Sequence, residues 1–178
     1  MALIINGSPN KQGATMSLFK ALFPKIDEAE ILHAYDLNIH PCDDCRVCQK
    51  KISCQYNDDD FSVIKDTLLQ NDTIILISPV YFGSFTDQLL KIINRFQQFF
   101  AQKFTHQAPL KHIKHIYVVA SCGAKNQEMF DGMALSLKIL GSLFEAKTHL
   151  FTFTGADQVK NYTQHYQTDI AHYKSQMQ

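Results

Sequence analysis

Cys42, Cys45, Cys48 and Cys54 form a C-x2-C-x2-C-x5-C run that holds four of the chain's five cysteines. Each C-x2-C step lets a tight turn bring two sulfurs together while backbone N–H groups point at the same centre, so several thiolates can share one metal or cluster. Zinc sites usually draw two such pairs from separated segments, whereas one dense run with repeated three-residue steps is more usual for iron–sulfur ligation. Spacing alone leaves a metal or cluster, reduced thiols along a loop, and a disulfide pair open. Stable disulfides have the least support: the short apolar run Met1–Ile5 has no basic segment before it and is ended by Asn6 and Gly7, so it does not read as an export signal.

A second set of residues lies in short stretches of small side chains. Gly7-Ser8-Pro9-Asn10-Lys11-Gln12-Gly13-Ala14-Thr15 runs from an apolar strand into a helical pattern. Small residues let such a backbone close around a phosphate, the Ser8 and Thr15 hydroxyls can donate to its oxygens, and the helix start supplies free N–H groups. Gly13 is followed by Ala14 and Thr15, not by Lys and Ser/Thr, so a Walker loop and triphosphate hydrolysis lose support. The G-x-G-x-x-G of a dinucleotide fold is also missing, although Asp36 could imitate its ribose-binding acid. An ordinary turn with a helix cap at Ala14 or Thr15 is the plain alternative. Two further stretches speak for a site. Ser78-Pro79-Val80-Tyr81-Phe82-Gly83-Ser84 puts adjacent aromatics on a Pro/Gly loop able to flank a planar ring, and Ser121-Cys122-Gly123-Ala124 leaves room for a flat ligand's polar edge. A phosphate cradle, an aromatic clamp and a small-residue floor together describe a pocket for flavin mononucleotide, FMN.

The elements that must position these residues alternate along the chain. Ile- and Val-rich runs at Ala2–Asn6, Glu30–Asp36, Thr73–Ser78, His115–Ser121 and Thr148–Thr154 read as five strands. Between and after them, helical spacing recurs in Leu18, Leu22 and Phe23; Phe61, Ile64 and Leu68; Leu89, Ile93, Phe96 and Phe100; Phe130, Met133, Leu137, Leu140 and Phe144; and Val159, Tyr162, Tyr166, Ile170 and Tyr173. Strands apolar almost throughout predict a parallel sheet covered on both faces: an α/β, doubly wound sandwich. We expect a single domain over residues 1–178, with a cysteine-rich insertion at about 38–59. Such sheets bind ligands beyond the carboxyl ends of their strands, where the small-residue loops fall. Lysines, histidines and acids interrupt every apolar stretch before it could span a bilayer, which predicts a cytoplasmic protein without membrane contact. Seventeen basic residues balance 17 acidic ones, which removes the electrostatic case for nucleic acid.

Strand–Gly7-Ser8-Pro9-x3-Gly13-x-Thr15, Pro41-Cys42-x2-Cys45-x2-Cys48 with Cys54 and Asp58-Asp59-Asp60-Phe61, and Ser78-Pro79-Val80-Tyr81 followed by Leu90-Lys91 and Arg95 resemble the NAD(P)H-dependent FMN reductase family, in particular its iron–sulfur flavoprotein branch. The resemblance implies a flavodoxin-like fold with strand order 2-1-3-4-5. It also implies an FMN site with the phosphate on the Ser8-Pro9-Asn10 turn, Gly13, Ala14 and Thr15, and the ring against Pro79, Val80, Tyr81, Phe82, Gly83, Cys122 and Gly123. Cys42, Cys45, Cys48 and Cys54 would then carry a 4Fe-4S cluster. Two positions depart from the pattern: Ala14 stands where Asn or Ser is common, and Asn94 where Asp commonly precedes Arg95.

The resemblance implies electron transfer from NAD(P)H through FMN to a quinone, a flavin or another small acceptor. An electron carrier with a cluster and a ferredoxin-like partner is the alternative, and a non-enzymatic zinc or thiol sensor a further one. Asp58, Asp59 and Asp60 are expected to cap the next helix. Lys103, Lys111, Lys114, His106, His112 and His115 could attract the phosphates of NAD(P)H, against a plain solvated loop. Cys122 reads as a small packing residue. Phe85, Phe96, Phe99 and Phe100 suggest an apolar surface for a homodimer or higher homo-oligomer.

Overall fold

In the computed structural model, which describes residues 2–27 and 31–177, five parallel strands form one sheet in the order β2-β1-β3-β4-β5. The strands are β1 (Leu3–Asn6), β2 (Ile31–His33), β3 (Thr73–Pro79), β4 (His115–Ser121) and β5 (Lys147–Phe153). The helices are α1 (Ala14–Leu22), α2 (Val47–Lys50), α3 (Phe61–Gln70), α4 (Asp87–Arg95), α5 (Gln97–Phe100), α6 (Asp131–Phe144), α7 (Tyr162–His165) and α8 (Gln167–Gln176). A π-helical turn at Ala101–Thr105 continues α5. No helix among the described residues is long and apolar enough to cross a membrane.

The period of two along each strand sorts its side chains between two cores. Leu3, Ile5, Ile74, Leu76, Ile116 and Val118 join the cluster formed with α3, α4 and α6. Ile4, Ile75, Ile77, Val119, Phe151 and Phe153 join the cluster formed with α1 and α8. Both faces are therefore covered, which is why the strands read as unbroken apolar runs. Strand register is continuous, from Ile4 opposite Ile31 and Ile75 to Ser121 opposite Pro79 and Phe153.

Three local expectations change. The second strand is shorter: Glu30 lies outside the described residues, and Ala34–Asp36 closes into a 3-10 turn that starts the insertion. The third helical stripe is rotated. Leu89, Ile92, Phe96 and Phe99 face the core, while Ile93 is only partly buried and Phe100 is exposed, because Arg95 also points inward at 2% exposure. Phe85, Phe96 and Phe99 are thus spent in this chain's own core, leaving Phe100 alone of the four as outward apolar surface. The last stripe is two helices that break at Tyr166, whose ring and Ile170 anchor them to the sheet.

Candidate functional site

The loops after β1, β3 and β4 are tied to one another at the carboxyl edge of the sheet. Asn6, fully buried at the end of β1, accepts the Ser8 N–H at 2.9 Å through its side chain and starts the turn. Ser8 Oγ accepts the Asn10 N–H and donates to the Asn10 carbonyl, and Asn10 Oδ1 accepts the Gln12 N–H. The Gly7 N–H donates to the Ile77 carbonyl, and the Thr86 hydroxyl donates to the Gly7 carbonyl at 2.6 Å. A Cβ on Gly7 would lie 2.7 Å from Leu89 Cβ, so only glycine lets this loop sit against α4.

The chain then enters α1 with Gly13 as its N-cap, without a side-chain cap and without an acid in the first turn. The plain alternative, a cap at Ala14 or Thr15, is not what forms: both lie inside the helix and the first-turn backbone N–H groups are left bare, which suits an anion. The hydroxyls have other partners: Ser8 serves its own turn, and Thr15, 3% exposed, pairs with Ser121 Oγ at 2.6 Å, joining α1 to the end of β4. A phosphate here would therefore meet mainly the main-chain N–H groups of Ala14 and Thr15, since the Asn10 N–H is spent on Ser8 Oγ and the Gly13 N–H on the Asn10 carbonyl. Lys11 is held in an ion pair with Asp36, which engages the acid considered for ribose binding.

Above this cradle the aromatic loop is a tight turn. Tyr81 and Ser84 exchange N–H···O bonds of 2.9 and 3.0 Å, with Phe82 at φ 49° and Gly83 at φ 74°. Two consecutive positive φ values define a type I′ turn, which glycine or asparagine would satisfy more cheaply than phenylalanine. Phe82 is fully exposed and Tyr81 half-exposed, so both rings are available to a flat ligand. The Val80 N–H donates to the Ser121 carbonyl at 2.8 Å, joining this loop to the floor. In the floor, Cys122 is buried, its thiol donates to the Ala124 carbonyl, and burial pushes its pKa up, the behaviour of a packing residue. Gly123 is pressed against Asp157, whose Oδ2 would lie 2.0 Å from an added Cβ.

The cysteine run builds a separate wall. Cys42, Cys45, Cys48 and Cys54 all line one cavity of about 120 Å³, closed by Arg95, Gln98, Phe100 and Thr105 from α4, α5 and the π-helical turn. The positive φ of Asp44 and Arg46 turns the chain sharply enough to bring Cys42 and Cys45 round to Cys48. All four are free thiols. Burial, then the neighbouring Cys42, Cys54 and Cys45, push the Cys48 thiol up. Among the described residues, no three His, Cys, Asp or Glu side chains converge on a single-ion site.

The acids after the run do more than cap. Asp59 Oδ1 accepts the Phe61 N–H at the start of α3, but Oδ2 accepts the His40 N–H at 2.8 Å and a bond from Arg95 at 2.5 Å. Burial alone would raise the Asp59 carboxyl; the Arg95 hydrogen bond, the His40 and Phe61 amides and the Arg95 charge together hold it below the usual carboxylate range. Asp60 accepts the Asn38 N–H. Two of the cations considered for NAD(P)H are occupied: Lys103 caps the α6 carbonyls of Ser142 and Leu143 and pairs with Glu145, and Lys114 pairs with Asp72. His106 bonds the Cys48 carbonyl instead. His40 and Tyr56 were not legible as site residues, since neither belongs to the cysteine pattern; Arg95 entered only through the family motif and His106 only as a group for the phosphates of NAD(P)H, and an arginine at the core-facing end of an apolar helix was the signal for its place here.

The profile of the NADPH-dependent FMN reductase family matches residues 1–143. An iron–sulfur flavoprotein of Archaeoglobus fulgidus is 35% identical over 97 residues, covering 52% of this chain and 47% of that protein. The chain thus spans about half the length of the curated relatives it matches. Among solved structures, an NAD(P)H:quinone oxidoreductase from Methanothermobacter marburgensis superposes with a TM-score of 0.65 at 12% identity, over 98% of this chain and 93% of the other. An FMN-dependent NADH-azoreductase from Bacillus anthracis, solved with FMN, gives 0.64 at 12% identity, over 98% and 95%. At those identities the superpositions speak for the flavodoxin-like fold alone. The family match, the 2-1-3-4-5 sheet and the knitted loop edge converge on one assignment: this chain belongs to the NADPH-dependent FMN reductase family.

Proposed function

We propose that this chain binds FMN at the carboxyl edge of its sheet and passes electrons from NAD(P)H to a quinone, a flavin or another small acceptor. The observation that carries it is the bonding of the β1, β3 and β4 loops into one rigid edge around an uncapped helix N-terminus. FMN, when bound, supplies the chemistry, taking up hydride and releasing electrons one or two at a time. The chain's own residues bind and orient. The unpartnered main-chain N–H groups of Ala14 and Thr15 at the start of α1 would hold the phosphate, with the turn of residues 8–13 closing around it, while Tyr81, Phe82 and the Cys122–Gly123 floor would flank the ring. No side chain is asked to move a proton. The exposed rings of the aromatic turn leave the far side of the pocket open to nicotinamide and then to the acceptor.

A second use of electrons is favoured by the cysteine cavity. Four thiols that line one cavity, in a single dense run with repeated three-residue steps, suit an iron–sulfur cluster better than zinc, whose sites usually draw two cysteine pairs from separated segments. The names of the iron–sulfur flavoproteins support the same reading. Helix α4 connects the two places: Thr86 at its N-cap holds Gly7, and Arg95 at its end lines the cysteine cavity. A cluster there would let electrons leave singly to a ferredoxin-like partner. The test is NADPH oxidation by the purified chain with and without FMN. Turnover that requires FMN supports the proposal, and turnover indifferent to FMN sinks it.

A further inference from the structure

Arg95 lies far from the cysteine run in sequence, yet all the hydrogen bonds of its guanidinium go to the segment that carries the run. Nη1 donates to the His40 carbonyl at 2.9 Å and to Asp59 Oδ2 at 2.5 Å; Nη2 donates to the Tyr56 carbonyl and, at 3.4 Å, to Asp59 Oδ1. His40 precedes Cys42 and Tyr56 follows Cys54, so one side chain, 1% exposed, grips the run at both ends. The grip continues inward. The His40 and Tyr56 rings stack at 3.5 Å and 13°, the Tyr56 hydroxyl donates to Asp43 Oδ2 at 2.6 Å, and Asp43 Oδ1 accepts the Cys45 N–H. Arg95 itself is part of the cavity wall, and its Nε–H is buried with no partner.

We propose that Arg95 is the positioning residue of the cysteine cavity: it holds residues 40–56 so that the four thiols face one space, and it reserves its Nε–H for an anionic sulfur centre assembled there. The second half rests on the iron–sulfur reading given above. A simple structural ion pair would be satisfied by Asp59 alone. The two carbonyls flanking the cysteines demand a planar fork, which lysine lacks. A buried ion pair is also a poor choice for stability alone, because desolvation consumes much of its Coulomb energy. An unspent buried N–H on a residue that walls the cavity lined by the four thiols has a use that an apolar residue could not supply, since hydrogen bonds to cluster sulfurs raise the reduction potential.

The test uses the whole chain. In metal-free protein, Arg95→Gln is expected to speed amide hydrogen exchange across residues 41–56 by about tenfold or more while leaving the 7–15 loop and FMN affinity within about twofold. Unchanged exchange in 41–56 overturns the positioning role. Where Arg95→Gln gives no cooperative melt, Tyr56→Phe breaks the relay to Asp43 alone; faster exchange confined to the segment around Asp43–Cys48 supports the role, and wild-type exchange there overturns it. For the Nε–H, wild type and Arg95→Lys are reconstituted anaerobically with ferrous iron and sulfide. Lysine keeps the charge but not the fork, so its visible band should titrate at a more negative potential than that of wild type. An equal potential overturns the donor role, and so does a wild type that takes up no iron, which fails the cluster reading itself while leaving the exchange result to decide the clamp.

Discussion

Gly132→Ala is a small change that reaches the proposed flavin edge from behind. Gly132 is the second residue of α6, and a Cβ there would lie 2.3 Å from the Gly83 carbonyl oxygen. A comfortable carbon–oxygen approach is about 3.3 Å, so helix and turn must separate by roughly 1 Å. The helix resists, because Met133 and Leu137 are locked in the core, and the turn resists through its paired Tyr81–Ser84 bonds. Overpacking of this kind costs about 1–3 kcal/mol. For a chain of 178 residues that lowers the melting temperature by roughly 2–12 °C. The lighter element is the turn, so the displacement should fall on Tyr81, Phe82 and Gly83. If those residues flank the ring, FMN affinity weakens by about tenfold to a hundredfold. Quenching of FMN fluorescence gives the dissociation constant, and a thermal melt without FMN gives the cost of the clash. A lowered melting temperature with affinity within twofold of wild type would refute the placement of the turn against the flavin, and no change in either would refute the packing.

Phe82→Gly should relieve a positive-φ strain of about 1 kcal/mol, raising the melting temperature slightly while weakening FMN binding through loss of the exposed ring, both read in the same two assays. Asp59→Asn leaves Arg95 buried with a neutral partner and should cost about 3 kcal/mol, at the low end for a broken buried pair because the Asp59 side chain keeps 10% of its surface in water; urea unfolding measures it. The lowered folded-state pKa of Asp59 means that its stabilisation is complete above the unfolded value near ~3.9 and is lost as pH falls through the folded value. Protection of residues 40–57 in hydrogen exchange should accordingly be flat from neutrality to about pH 5 and collapse in stronger acid. Cys45→Ser should abolish the broad visible absorption gained on iron–sulfide reconstitution while FMN affinity stays unchanged.

The sheet was legible because a strand buried on both faces cannot hide its composition: Ile74–Ile77 and Ile116–Ala120 leave no polar face to confuse with a helix. The loops proposed to hold FMN were legible for a related reason, since glycine and small polar residues cluster where backbone must approach backbone, as at Gly7 against Leu89. Where several side chains share one helical period, phase was not. Leu89, Ile93, Phe96, Phe100 and Leu89, Ile92, Phe96, Phe99 are both acceptable stripes, and the choice between them was made by Arg95 reaching for partners 36, 39 and 55 residues away. Those partners are two carbonyls and a carboxylate that sequence showed only as part of a helix cap. The internal partners of the Ser8 and Thr15 hydroxyls were hidden for the same reason: that Thr15 meets Ser121 depends on contacts between distant strands.

The central claim is that this edge binds FMN and that electrons pass through it. Anaerobic incubation of the purified chain with FMN, followed by desalting, an absorption spectrum and quantification of flavin, iron and zinc on one sample, tests it most directly. The account predicts stoichiometric FMN retained whether or not iron is present, with the flavin band bleached by NADPH. A sample that holds no FMN after incubation would contradict it.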